Sequence, residues 1–216
     1  MSRFTGKPVG GLPSQLPPGE QILWQGAPKW LSLARHAFHI RLIAGYFALL
    51  ILWRVAGPLI GGHGVLFAAT QGLSGLTLAA AGIGLFSFFA WLIARTTTYT
   101  ITNRRVVITY GMALPKSINL PYVRIDAADM KVNADGTGDI ALKLPEKTRL
   151  SYVLLWPHVR SGVKGRAEPV LRCISGPQAA AETLAGALAN TIAQGERAVT
   201  AKPEMSDLNV MTAQAA

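Results

Sequence analysis

Asp135, Thr137 and Asp139 place oxygen atoms at alternate positions with a glycine between, a spacing typical of loops that bind calcium. A calcium loop of the EF-hand type also needs a glutamate near its twelfth position. Glu146 occupies that position, but it lies beyond a segment that is predicted to be a strand. We therefore expect a β-turn at 135–136, with Asp139 exposed at the start of the next strand, and no metal ion.

The chain contains no motif for covalent or metal-assisted catalysis. It has no Gly-x-Ser-x-Gly, no phosphate-cradling glycine loop and no His-Glu-x-x-His, and its four histidines and eleven acids are scattered. Its single cysteine, Cys173, excludes an intrachain disulfide and a cysteine metal cluster. We expect Cys173 to be a small buried side chain in a strand over 170–174. The chain is accordingly predicted to be no enzyme, with no catalytic residue and no metal.

The strong positive charge, +10 with 21 Lys and Arg, indicates an anionic partner. Nucleic acid, the competing explanation of this charge, is not expected, because the chain also carries eleven acids and its basic residues form no run longer than Arg104-Arg105. The basic residues flank two apolar stretches, where anionic lipid attracts them. Arg95, Arg104 and Arg105 are candidates for lipid-headgroup contact, and the alternative is that they only set the orientation in the membrane.

Two apolar stretches, 42–60 and 73–94, must position these residues. The second, as a helix rising about 1.5 Å per residue, reaches about 33 Å and spans a hydrocarbon core of about 30 Å. Arg54 interrupts the first stretch near its far end. Its guanidinium either extends to the headgroups or faces a partner within the membrane. We predict a two-span transmembrane hairpin.

The orientation of this hairpin follows from the positive charges. Lys29, Arg35 and Arg41 precede the first span, basic residues follow the second from Arg95 onward, and the connection 61–72 carries no Lys or Arg. By the positive-inside tendency, both ends of the chain are cytoplasmic. The predicted organisation is an N-terminal cytoplasmic segment, a first span, a periplasmic connection, a second span, a cytoplasmic domain and a disordered tail, over 1–41, 42–60, 61–72, 73–94, 95–195 and 196–216.

After Arg95 the pattern becomes that of β-strands, with β-branched and aromatic residues in short runs separated by turn residues. An amphipathic helix follows from Pro177, with Ala181, Leu184, Leu188 and Ile192 on one face. The fold class is therefore membrane α+β, in which the hairpin precedes a seven-stranded β-barrel or sandwich capped by a C-terminal helix. The predicted strands are 96–102, 106–110, 117–120, 122–132, 137–144, 150–155 and 170–174.

Tryptophans and small residues supply candidate contact surfaces. The segment 21–30 either adds a strand or packs Trp24 on the barrel, or it docks a partner through Trp24, beside a turn at Gly26. Trp30 is expected to anchor at the membrane interface. Gly75 and Ala79 lie four apart on the second span. They allow close approach of another helix, of a partner or a second copy, and the alternative is ordinary packing against the first span.

Several motifs carry a resemblance to a known family. Residues 18–28 (PGEQILWQGAP), then a hairpin, then 99–105 (YTITNRR) opening the strands, resemble the membrane-anchored bacterial pleckstrin-homology-like proteins. Within that group, the chain is most similar to the photosynthetic complex assembly proteins of purple bacteria. The segments that carry this likeness are 24–28 (WQGAP), 36–39 (HAFH), 133–142 (NADGTGDIAL) and 155–160 (LWPHVR).

The resemblance implies a pleckstrin-homology-like domain and a non-enzymatic factor in the bacterial inner membrane that assembles the reaction centre and its core light-harvesting antenna. The implied partners are subunits of those complexes and membrane lipids. A bacteriochlorophyll contact through His36 and His39 is one hypothesis, since an imidazole can ligate the magnesium of a macrocycle, and structural interface histidines are the other. The alternative function is a membrane-tethered lipid- or protein-binding module unrelated to photosynthesis.

Overall fold

The computed structural model describes residues 16–111, 114–145, 148, 150–162 and 165–193. The predicted tail 196–216 lies outside them. The helices are α1 (Trp30–His36), α2 (Ile40–Ile60), α3 (Val65–Thr96), α4 (Tyr152–Leu155) and α5 (177–193). The strands are β1 (Ile22–Gly26), β2 (Thr98–Thr102), β3 (Arg105–Tyr110), β4 (Lys116–Pro121), β5 (Ala127–Val132), β6 (Thr137–Lys143), β7 (Val159–Ser161) and β8 (Ala167–Ser175).

Helices α2 and α3 form an antiparallel hairpin, and both are long and apolar enough to cross a membrane. No residue of α2 is buried, although most of them are apolar. Helix α3 begins at Val65 and not at residue 73, so most of the predicted connection is helical. The reason is local: 65–72 contains no proline, and Gly64 adopts a positive φ of 83° directly before the helix.

The two long helices meet along a row of small residues on α3. A Cβ atom added at Gly72, Gly75 or Gly82 would lie 2.9–3.1 Å from Val55, Ile51 and Phe47 of α2, respectively. Ala68 and Ala79 are buried on the same side. These spacings of three and four residues keep one face of α3 against α2.

Two antiparallel four-stranded sheets follow the hairpin, in the orders β1-β2-β3-β4 and β5-β6-β8-β7. The segment before the hairpin supplies β1, which pairs with β2 from Ile22 opposite Thr102 to Gly26 opposite Tyr99. The antiparallel strands and the C-terminal helix that the sequence predicts are therefore both present. The described strands form two separate sheets, so a closed barrel stays a prediction.

Two of the predicted strands differ from the observed elements. Residues 150–155 do not form a strand, because 152–155 are one helical turn, α4. This turn does not extend past Leu155, because Pro157 disfavours helical backbone in the preceding Trp156. The predicted strand 122–132 is split, since a 3₁₀ turn occupies Tyr122–Arg124 and only Ala127–Val132 is extended. The short β7 was not predicted at all.

The core of the domain lies between the sheets and α5. Its fully buried side chains come from both sheets, and Ala180, Leu184 and Ala187 of α5 cover them. Cys173 is buried in β8, as predicted. Burial raises the pKa of its thiol to about 12, so the thiol stays protonated and packs as a small apolar group.

Candidate membrane and partner interface

Trp24 packs on the domain instead of projecting from it. It is half-buried in β1 against the core cluster. A Cβ atom at Gly26 would lie 2.4 Å from the Trp24 ring, so the indole lies directly over this glycine. Gly26 therefore makes room for Trp24 within β1, whereas the sequence predicted a turn there.

Arg105 is engaged by an acid of the N-terminal segment. Its Nε donates to Glu20 Oε1 at 2.8 Å and its Nη2 to Glu20 Oε2 at 2.9 Å. Thr102 donates its hydroxyl to the same carboxylate at 2.8 Å, and the Glu20 side chain is only 2% exposed. Because its charge is matched by a buried carboxylate, Arg105 is poorly suited to bind a lipid headgroup.

Arg104 is exposed but lies at the end of the sheet that is remote from the hairpin. Thr98 starts β2 directly after α3, and at about 3.3 Å per residue the turn at 103–104 follows about 20 Å along the chain. Asn103 at this turn bonds to Gly19 and Gln21, which precede β1. Of the three basic candidates, only Arg95 lies at the end of the domain next to the hairpin, with its guanidinium 5.0 Å from the centre of the Trp91 ring.

His36 and His39 do not share a helix face. His36 ends α1, and its Nδ1 is 3.0 Å from the Ser32 carbonyl oxygen, so this nitrogen carries the proton and donates it. His39 lies between α1 and α2 with a left-handed φ of 50°. The break between the two helices at 37–39, which the sequence pattern does not reveal, separates the rings.

Arg54 faces α3 within the hairpin. Its Nη2 donates to Gln71 Oε1 at 2.6 Å and to Ser74 Oγ at 3.2 Å. Its Nε is buried and makes no hydrogen bond within the described residues. Gly75 and Ala79 lie along the same α2–α3 contact, so the hairpin itself uses the polar and small residues that were predicted to receive a partner.

The outer face of α2 is left free by this packing. Tyr46, Leu49, Leu52 and Trp53 are exposed there, Trp53 to 78%. With Leu50 and Ala56 they line an apolar groove of about 580 Å³. A lipid chain or an apolar helix fits such a surface.

His158 joins the end of α3 to the sheets. It is buried, with Nε2 3.1 Å from Thr97 Oγ1 and Nδ1 2.8 Å from the Tyr99 hydroxyl, and Arg172 N–H donates to that hydroxyl at 3.1 Å. A neutral ring that donates from Nε2 and accepts at Nδ1 satisfies all of these groups. Burial, with the nearby Arg172, lowers the pKa of His158 to about 3, so the ring stays neutral.

Helix α1 is fixed to the same end of the domain. The buried Ser32 hydroxyl donates to Asp135 at 2.5 Å, and Lys29 N–H donates to the Cys173 carbonyl at 2.9 Å. The Ser32 hydroxyl, with Thr137, holds the pKa of Asp135 well below its ordinary value. The turn at 135–136 is thus present, and its carboxylate binds α1. Among the described residues, no group of three or more metal-ligating side chains occurs.

Trp30 is half-exposed in the first turn of α1, whose Leu33 packs on Ile93 and Ala94 near the end of α3. Sequence reasoning missed three features of this end: His158, the Ser32–Asp135 bond and the exposed Trp156. Their partners are distant along the chain, so no local pattern points to them. The segment 155–160, which contains both Trp156 and His158, was noted for its likeness to a family, but it gave neither side chain a role.

Comparison with known proteins places the chain in a family. The sequence profile of the bacterial PH domain matches residues 39–188. A relative from Rhodobacter capsulatus, named as an uncharacterized 23.7 kDa protein in the puhA 5′ region, is 36% identical over 185 residues, which cover 85% of this chain and 86% of the relative. No solved structure matches the chain. The profile covers the hairpin, the strands β2 to β8 and most of α5, and the chain belongs to the bacterial PH domain family.

Proposed function

We propose that this protein is a non-enzymatic membrane assembly factor, similar to the photosynthetic complex assembly protein PuhB of purple bacteria. It helps the photosynthetic reaction centre and its core light-harvesting complex to assemble in the bacterial inner membrane. The hairpin contacts transmembrane helices of the subunits, and the cytoplasmic domain contacts their cytoplasmic faces.

The observation that carries this proposal is the relative of nearly equal length whose name places it in the puhA 5′ region, a location that points to a photosynthesis operon. The motifs at 24–28 and 133–142 support the same assignment by their resemblance to assembly proteins. Both segments contact the end of the domain next to the hairpin, because Pro28 bridges to Ile174 and Asp135 binds Ser32 of α1.

The membrane location is supported by the exposure of the apolar hairpin. An apolar helix of 21 residues with none of them buried is not the core helix of a water-soluble domain, and lipid is the environment that suits it. Lys29, Arg41 and Arg95 are exposed at the end where α2 begins and α3 ends. These charges favour an orientation with both ends of the chain in the cytoplasm.

The attachment of the domain to the hairpin suits a factor that holds two parts of one partner. Thr97 and Tyr99 bond to the buried His158, and Ser32 bonds to Asp135, so α3 and α1 are each fixed to the sheets. The domain is therefore held at one height against the membrane. A subunit bound along the outer face of α2 would meet the domain in a fixed geometry.

A strain of a photosynthetic host that lacks the gene tests the function directly. We expect a selective loss of reaction centre and core antenna from its membranes while pigments are still made, measured by near-infrared absorption and subunit immunoblots. Restoration by the intact gene is the control. Normal levels of both complexes in the deletion strain would instead favour a lipid- or protein-binding module unrelated to photosynthesis.

Capture of the tagged protein from photosynthetically grown membranes tests the partners. We expect reaction-centre or antenna subunits in sub-stoichiometric amounts, enriched in incomplete particles. Stoichiometric recovery in finished complexes would make the protein a permanent subunit.

Near-infrared absorption of the purified protein, compared with a His36→Leu, His39→Leu variant, tests a bacteriochlorophyll contact, and equal spectra would exclude these ligands.

A further inference from the structure

We infer that the α4 turn, formed by Tyr152, Val153 and Trp156, is a third membrane contact that inserts into the interface between headgroups and acyl chains. This inference rests on the proposed membrane hairpin. It adds a contact from the globular domain itself, so that the domain is held on the lipid surface as well as tethered to it.

The composition of the turn is that of an interfacial insertion. Tyr152 and Trp156 are each 46% exposed and Val153 is 83% exposed, in a segment, 150–157, that contains no charged residue. Tyr and Trp are the residues enriched where membrane and water meet, because their rings are apolar with one polar atom. In water, such a group of large exposed side chains would be costly.

The position of the turn along the hairpin places it at the height of the lipid. The Trp156 ring stands edge-on to Phe38 with the ring centres 5.1 Å apart, and Phe38 is 6.2 Å from Phe86 of α3. Phe86 precedes Arg95 by nine residues, which is about 13 Å along a helix. Phe38 also packs against the cluster that contains Ile93 and Ala94, so Trp156 is continuous, through one ring, with the last apolar turns of α3, where the chain would leave the acyl region for the headgroups.

The surrounding groups complete an interfacial pattern. Trp30 and Leu31, both half-exposed, extend from α1 at the same end of the domain, and Arg95 lies over Trp91 on α3. Asp135, which lies beside α1 at this end, is bonded to Ser32 and Thr137. Exposed apolar side chains with cations beside them suit a lipid surface with anionic headgroups.

Spin labels at matched sites test the inference in the full-length protein. Val153 in the turn is 83% exposed and Val123 at the opposite end of the domain is 81% exposed, so Val153→Cys and Val123→Cys are matched variants. Cys173 is fully buried and should not react. A third label, at Leu52→Cys on the outer face of α2, reports the hairpin.

The labelled proteins are reconstituted in vesicles of phosphatidylcholine and phosphatidylglycerol, and the collision rate of each label with oxygen and with a water-soluble nickel chelate is measured. We expect oxygen to dominate at positions 52 and 153 and nickel to dominate at 123. Nickel dominance at 153 with oxygen dominance at 52 would overturn the inference while the hairpin stands, and would leave the turn for a protein partner. Nickel dominance at 52 would overturn the membrane hairpin as well.

A second measurement avoids the label. The chain has five tryptophans, and each variant keeps one of them, with phenylalanine at the other four positions. The variants that keep only Trp156 or only Trp53 should lose tryptophan fluorescence in vesicles of brominated lipid. A variant that keeps only Trp24, which packs on the core, should not. Unquenched Trp156 beside quenched Trp53 would contradict the insertion.

Discussion

His158 lies where α3 ends and β2 begins, and its two ring nitrogens serve both elements. A charged imidazole could not accept the Tyr99 hydroxyl proton and would stand close to Arg172, so this contact exists only with a neutral ring. A histidine to which the sequence gave no role thus makes the attachment of the domain sensitive to pH.

The first prediction concerns acid stability. The pKa of His158 is about 3 in the folded protein and about 6.5 in an unfolded chain, so below pH 6.5 the unfolded state binds the extra proton. Stability should fall as pH falls from about 6.5 towards 3, by up to about 1.4 kcal/mol per pH unit. Thermal unfolding in detergent at pH 7.5 and pH 5 measures this, and His158→Gln should lower stability at pH 7.5 but flatten the pH dependence. An equally steep dependence in the variant would assign it to other groups.

The second prediction concerns the Glu20–Arg105 pair. Glu20→Gln removes the charge that Arg105 and Thr102 bind and should lower the free energy of unfolding by about 1–3 kcal/mol, since the carboxylate is buried but Arg105 is partly solvated. Denaturant unfolding measures it. The control is Arg104→Gln, because the neighbouring arginine is exposed and makes no ion pair within the described residues. A similar loss in both variants would contradict the role of the pair.

At the scale of elements, the sequence predicted the helices and strands whose formation depends on residues close together in the chain. The two long helices were identifiable because each must present an apolar surface over its whole length, and β2, β3 and β6 because their residues favour strands locally. The missed pieces depend on distant partners. Strand β1 was only one alternative for the segment 21–30, because it forms through pairing with β2, more than 70 residues away. The role of Arg105 was missed because it depends on Glu20, 85 residues away.

The third prediction concerns the packing of α2 on α3. Gly75→Leu must place a side chain where Ile51 is only 2.9 Å from the position of a Cβ, whereas Gly84 has no such neighbour within 4 Å in the part of the chain described. We expect Gly75→Leu to destabilise the hairpin by about 1–3 kcal/mol and Gly84→Leu to be neutral or slightly stabilising, because leucine favours helix more than glycine does. Unfolding in mixed micelles of increasing SDS content, followed by circular dichroism, measures both. Equal stability of the two variants would place the α2 contact elsewhere on α3.

At the scale of the whole molecule, the hairpin and the domain form one unit with two kinds of surface. The α2–α3 contact uses the small residues and Arg54, which the sequence had offered to a partner, and this leaves the outer face of α2 for binding. The sequence did not indicate this face, since apolar residues lie on all sides of α2 and the side that Arg54 occupies could equally have faced a partner, so only the position of α3 shows which side is free.

The last prediction tests that face in the assembly function. Leu49→Ala with Trp53→Ala removes the two most exposed side chains of the α2 groove, and should reduce recovery of reaction-centre or antenna subunits with the tagged protein about tenfold, as loss of about 1–2 kcal/mol of contact energy does. The matched control, Leu76→Ala with Leu78→Ala, removes exposed leucines from α3 and should leave recovery unchanged. Quantitative immunoblots of captured subunits from membranes with equal amounts of each variant measure the effect. Since none of the four side chains is buried, all variants should fold, and an equal loss from both pairs would mean that partners bind the hairpin without preference for the α2 face.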